Sequence, residues 1–77
     1  MLLKSTPEDD IADRLKLWRK SVMEMTQEQF AEALGISVHT LRNWEQDRVK
    51  PDGPGLALLR IAARHPRIVR ENIGSAA

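Results

Sequence analysis

The sequence contains no cysteine, which excludes disulfides and thiolate metal sites. Its two histidines, His39 and His65, cannot by themselves make a structural zinc site. No apolar run approaches the roughly 20 residues needed to span a bilayer. Met1-Leu2-Leu3 is too short for the core of a signal peptide, and the acids that follow Lys4 do not suit one. A cytoplasmic protein without membrane contact is therefore expected. There is no glycine-rich phosphate loop and no Ser/His/acid constellation at a supporting spacing. Asp9, Asp10 and Asp13 read as helix-start charges rather than metal ligands. A protein that is not an enzyme and carries no cofactor follows. Strand-like alternation, internal repeats and low-complexity segments are also missing.

At 77 residues the chain is the size of one domain, residues 1–77, with a core that stabilises only marginally. Net charge is small as well, +1, but it is unevenly spread. Residues 1–35 hold five basic and seven acidic side chains, and residues 36–77 hold seven basic and four acidic ones. The excess of positive charge lies in the half of the chain that follows Gly35.

What is present is helical. Residues 1–5 have nothing to hold them and are expected to be loose, as are residues 75–77. Thr6-Pro7-Glu8-Asp9 supplies a cap, a proline for the first helical position and acids for the positive end of the helix dipole. Ile11, Leu15, Trp18 and Val22 then recur at helical spacing, which predicts a first helix over about 7–22 with Trp18 in the core. Thr26 with Gln29 forms a capping box, and Met25 with Phe30 a hydrophobic staple, for a second helix over about 27–34. Ser37 caps a third over about 38–46, with Ile36 and Leu41 as its staple. Residues 47–53 read as a polar loop. Pro54 opens a fourth helix at its first position, and His65-Pro66 breaks it. Pro66 opens a fifth helix that ends near Gly74. The expected fold is an all-α, compact five-helix domain in which helices 1, 4 and 5 pack around helices 2 and 3.

The stretch from Gln27 to Gln46 has a distinctive spacing. Ala31 stands at its fifth position, where a second helix must approach closely. Gly35 stands at its ninth, where the backbone turns through positive φ. Phe30, Leu34, Ile36, Leu41 and Trp44 occupy positions that face a shared core. A short, glycine-containing turn between two such helices is a helix-turn-helix. On the third helix, Val38, His39, Arg42 and Asn43 fall off the buried side. Such a helix can lie in the major groove, where Arg42 suits guanine, Asn43 suits adenine and Val38 a thymine methyl. Thr40, Arg48 and Lys50 are placed to meet phosphates, which set register without reading sequence.

The wider run TQEQFAEALGISVHTLRNWEQDRVKP resembles the phage-repressor-type helix-turn-helix family, the Xre or Cro/repressor class. With GPGLALLRIAARHP it is similar to HigA-like antitoxins and their stand-alone relatives. The resemblance covers about residues 11–73. It implies a repressor-like DNA-binding domain in which Val38, His39 and Asn43 reach bases or flanking phosphates. It also implies that Gln27 anchors a phosphate at the start of the second helix. An arginine near the end of the first helix is implied to pair with the glutamate after the aromatic of the reading helix. Here these are Arg19, with Lys20 as the alternative, and Glu45. The chain departs from the family pattern between Ser21 and Met25, with one extra residue and no glycine. The implied partners are double-stranded DNA and a second copy of the chain, since one short helix reads few bases. Exposed apolar residues among Leu56, Ile61, Ile68, Val69 and Ile73 are the expected dimer surface, with Leu59, Ala62 and Ala63 facing helices 2 and 3. The expected function is a sequence-specific transcriptional regulator, a repressor on a palindromic operator. The alternative is an antitoxin that also binds a toxin and represses its own operon.

Overall fold

The computed structural model describes residues 11–73, and every regular element among them is helical. Helix α1 (Ile11–Leu17) runs directly into a π-helical turn (Trp18–Met23). Then follow α2 (Gln27–Leu34), α3 (Val38–Glu45), α4 (Gly53–Arg64) and α5 (Pro66–Glu71). The helix start expected at Thr6-Pro7, the end expected at Gly74 and the loose segments 1–5 and 75–77 lie outside the described residues.

The π turn corrects the reading of the first helix. The backbone N–H of Glu24 bonds to the carbonyl of Arg19, five residues back, and Met25 N–H reaches the same carbonyl at 3.1 Å. A turn closed at i→i+5 takes up one more residue than an α turn, and so absorbs the extra residue between Ser21 and Met25. It also rotates the helix face. Arg19 and Met23 turn inward, 7% and 3% exposed, whereas Val22, expected in the apolar stripe, is 55% exposed. The chain leaves the turn through Glu24 at φ 56°, ψ 46°, in the left-handed region. This is the stretch in which the family resemblance leads one to expect a glycine.

The ends of α2 and α3 form through their own sequence. Thr26 Oγ1 accepts from Gln29 N–H at 3.1 Å while Gln29 Oε1 accepts from Thr26 N–H at 3.0 Å, closing the capping box. Gly35 ends α2 at φ 75°, and Ser37 Oγ caps α3 by accepting from Thr40 N–H at 3.0 Å. Gln46 falls just past the end of α3 as its cap. The core is centred on Phe30 and Leu41, both fully buried, with Ala31, Leu34 and Trp44 around them. Half-buried Trp18 meets Phe30 edge-on, ring centroids 5.2 Å apart and planes at 84°, a favoured aromatic geometry.

The outer helices pack less evenly than expected. Helix α1 lies on α3, α5 lies on α2, and α4 packs chiefly on α5. Pro54 takes the second position of α4, because the helix begins at Gly53. Gly55 brings the start of α4 against Trp44: a Cβ at that position would sit 3.1 Å from the indole and 3.2 Å from Pro51. Only Ala62 of α4 is fully buried, and Leu58 and Leu59 pack against the core in part. Ala63, expected to face α2 and α3, is exposed and borders an open groove between α1 and α4. Of the residues expected outside the core, Val69 is buried and Ile73 packs against the core. Ile61 and Ile68 remain exposed, at 60% and 62%. Two bonds hold α5 in place. Asn72 Nδ2 donates to the carbonyl of Ala33 at the end of α2, 2.7 Å, and Arg70 donates to the carbonyl of Val22, 3.3 Å.

Candidate nucleic-acid interface

Helix α3 is amphipathic by construction. Leu41, Trp44 and Glu45 are buried, which turns His39 and Arg42 outward and leaves Val38, Thr40 and Asn43 half-buried at the margins. Val38 is less open than expected because it leans on the core. Along the outer face, the amide of Asn43 lies 3.3 Å from His39 Nε2. These residues are one turn apart, so their side chains stack on the same face. The Thr40 hydroxyl accepts from Ser37 Oγ at 2.9 Å, close to the N-terminal end of the helix.

A buried ion pair supports the inner side of α3. Arg19 Nε donates to Glu45 Oε2 at 2.7 Å and Nη2 to Oε1 at 2.9 Å, while Nη1 reaches the carbonyl of Met25 at 3.1 Å. Lys20, the alternative partner, is exposed. Gln27 adds a further bond, from Nε2 to Glu45 Oε1 at 3.1 Å. Burial acts most strongly on the Glu45 carboxyl and would raise its pKa. The bonds from Arg19 and Gln27, with the charges of Arg19 and Lys16, together outweigh burial and hold the carboxyl below its ordinary range. The geometry ties the π turn, the start of α2 and the end of α3 at one point. No buried polar side-chain atom among the described residues is left without a partner.

Gln27 also faces outward. Its Oε1 accepts from Arg42 Nε at 3.3 Å, and Arg42 Nη2 lies 3.3 Å from Glu28 Oε2. The phosphate candidate Gln27 and the base-reading candidate Arg42 therefore touch each other. Neither this contact nor that with Glu28 is legible in the sequence, where residues 15 and 14 apart carry no pairing signal; the crossing of α2 over α3 creates both. After α3 the chain turns through Asp47 at φ 59°, and Arg48 and Val49 N–H groups return to the carbonyl of Asn43 at 2.9 and 3.4 Å. This wrap keeps Arg48 and Lys50 beside the end of α3. Lys50 pairs with Asp47 at 3.1 Å, and both cations are exposed.

The uneven charge would place the positive excess on the side of the reading helix, and the structure spreads it more widely. Of the seven basic residues after Gly35, only Arg42, Arg48 and Lys50 border α3. Arg60, Arg64, Arg67 and Arg70 belong to α4 and α5.

Two short helices joined at Gly35, the second with its polar face open, are the geometry of a helix-turn-helix. Residues 15–60 match the family model described as helix-turn-helix. The chain belongs to the helix-turn-helix family. The chain is 45% identical over 42 residues to a protein of Vibrio cholerae serotype O1 named antitoxin HigA-2, covering 54% of this chain and 40% of that one. It is 36% identical over 44 residues to a protein of Escherichia coli strain K12 named uncharacterized HTH-type transcriptional regulator YiaG, covering 57% and 46%. The chain thus spans less than half the length of these curated relatives. No solved structure matches it. Among the described residues of this helix-turn-helix protein, no helix is long and apolar enough to cross a membrane.

Proposed function

We propose that the protein is a sequence-specific DNA-binding transcriptional regulator, a repressor that inserts α3 into the major groove of a palindromic operator. The observation that carries this reading is the open face of α3, with Arg42 and Asn43 held by defined partners on a helix fixed from behind by the buried Arg19–Glu45 pair. Arg42 and Asn43 read base edges, with His39 and Val38 beside them. Gln27, Thr40, Arg48 and Lys50 meet the phosphates and set the register. Two copies bind together, placing their reading helices about 34 Å apart, one turn of DNA.

Selection of bound sequences from random DNA, followed by footprinting, tests the reading. A palindrome with half-sites one turn apart is expected. Arg42→Ala and Asn43→Ala should each weaken operator binding by about 1–3 kcal/mol and relax preference at particular base pairs. Two variants with wild-type affinity and preference would remove α3 from the groove.

The identity to a protein named as an antitoxin favours a second reading, in which the chain also binds and neutralises a toxin. Co-expression with the product of an adjacent gene tests it: rescue of growth and a stable complex support an antitoxin, and toxicity left unrelieved opposes it.

A further inference from the structure

In the structure Arg42 is engaged by two side chains of α2. Its Nε is held by Gln27 Oε1 and its Nη2 by Glu28 Oε2, each at 3.3 Å. The first of these anchors is not a floppy one. Gln27 spends its amide nitrogen on Glu45, which is itself locked by Arg19. Glu28 is different: it is exposed, and it is tied to Arg42 alone among the ion pairs found in the described residues. It puts a negative charge at the edge of the face that a negatively charged duplex must approach, and it neutralises the cation that would otherwise attract any phosphate.

We propose that Glu28 is a specificity-determining residue that withholds Arg42 from DNA of the wrong sequence. The proposal rests on the regulator reading above and deepens it. Non-specific binding is dominated by phosphate contacts and counterion release. An arginine paired with a carboxylate contributes little to it, because a phosphate must displace a partner of the same charge sign. A guanine at the right register offers two aligned acceptors, O6 and N7, and competes with Glu28 through geometry rather than charge. Arg42 then leaves Glu28 only on the correct site. Discrimination thus comes from weakening the wrong complex rather than from strengthening the right one.

The test uses Glu28→Gln, Arg42→Ala and the double variant, each checked for unchanged helicity and melting, against two short duplexes: the selected operator and a scrambled sequence. Glu28→Gln should tighten binding to the scrambled duplex by roughly twofold to fivefold, the range of an exposed charge pair, and steepen its salt dependence by about one unit of slope. Operator binding should change less, so the specificity ratio falls. In the Arg42→Ala background, the gain from Glu28→Gln should vanish. A gain that persists without Arg42 would mean that Glu28 merely repels the backbone, and would overturn the proposal. So would equal tightening on both duplexes, or no change on the scrambled one. A wild-type protein that binds neither duplex would sink the regulator reading, and this proposal with it; binding without the coupling sinks only the proposal.

Discussion

Two residues carry unusual conditions that stability measurements can read. Glu24 holds φ 56°, a conformation that costs a side-chain-bearing residue roughly 1–2 kcal/mol and glycine almost nothing. Glu24→Gly should therefore stabilise the domain by about 0.5–1 kcal/mol, less than the full strain because glycine also loses more entropy on folding. A urea titration with an unchanged or lower midpoint would show that the side chain does more than its exposure suggests. Glu45 is the second case. Its carboxyl lies below the ordinary 4.5 in the folded protein, so the unfolded chain takes up the proton first. The stabilisation is fully present above the unfolded value and is lost as pH falls through the folded one. Glu45→Gln should cost about 3–5 kcal/mol at neutral pH, because it leaves the buried Arg19 uncompensated. The gap between variant and wild type should narrow in melts taken below pH 4.5, and a gap that stays constant down to strong acid would contradict the lowered pKa.

At the scale of elements, α5 is the least secured. It is short, ending at Glu71 after six residues, and an isolated helix of that length is not stable in water. Val69 in the core and the bond from Asn72 to the Ala33 carbonyl fasten it to α2. Asn72→Ala leaves that carbonyl, at the unsatisfied end of α2, without its donor. We predict a loss of about 1 kcal/mol in global stability, with hydrogen-exchange protection falling first in α5. Protection that falls evenly across all helices would show that α5 opens only with the whole domain. The π turn is the other element-scale device. It sets which side of the first helix faces inward, and through Arg19 it fixes the inner side of α3.

For the whole molecule, the proposed pairing of two copies makes a prediction about its surface. Of the apolar residues expected at a dimer surface, Ile61 and Ile68 on α4 and α5 stay exposed, and Arg60, Arg64, Arg67 and Arg70 lie on the same two helices. Like charges brought together are screened by salt. Self-association through this surface should therefore tighten as ionic strength rises, opposite in sign to DNA binding, which salt weakens. Ile61→Lys with Ile68→Lys should give a folded monomer with weakened operator affinity. Sedimentation decides the matter: a double variant that dimerises like wild type, or a wild type bound as one copy per operator, would move the dimer surface elsewhere.

The sequence by itself determined what depends on neighbours within one helical turn. The capping box of Thr26 and Gln29, the Ser37 cap, the left-handed turn at Gly35 and the break at His65-Pro66 involve residues three or four apart at most. For that reason α2 and α3 were legible almost to the residue. The motif spacing was legible too, because Ala31 and Gly35 answer steric demands of the turn itself. The pairing of Arg19 with Glu45, 26 residues apart, was legible only through family resemblance. Tertiary structure alone decided the rest. Periodicity gave Ile11, Leu15, Trp18 and Val22 one face, but it assumes α geometry, and the π turn put Arg19 and Met23 inside and Val22 outside. Val69 and Ile68 are adjacent and equally apolar; the seat of α5 on α2 buries one and exposes the other. The contacts of Arg42 with Gln27 and Glu28 depend on the angle at which α2 crosses α3, and no local preference encodes that angle.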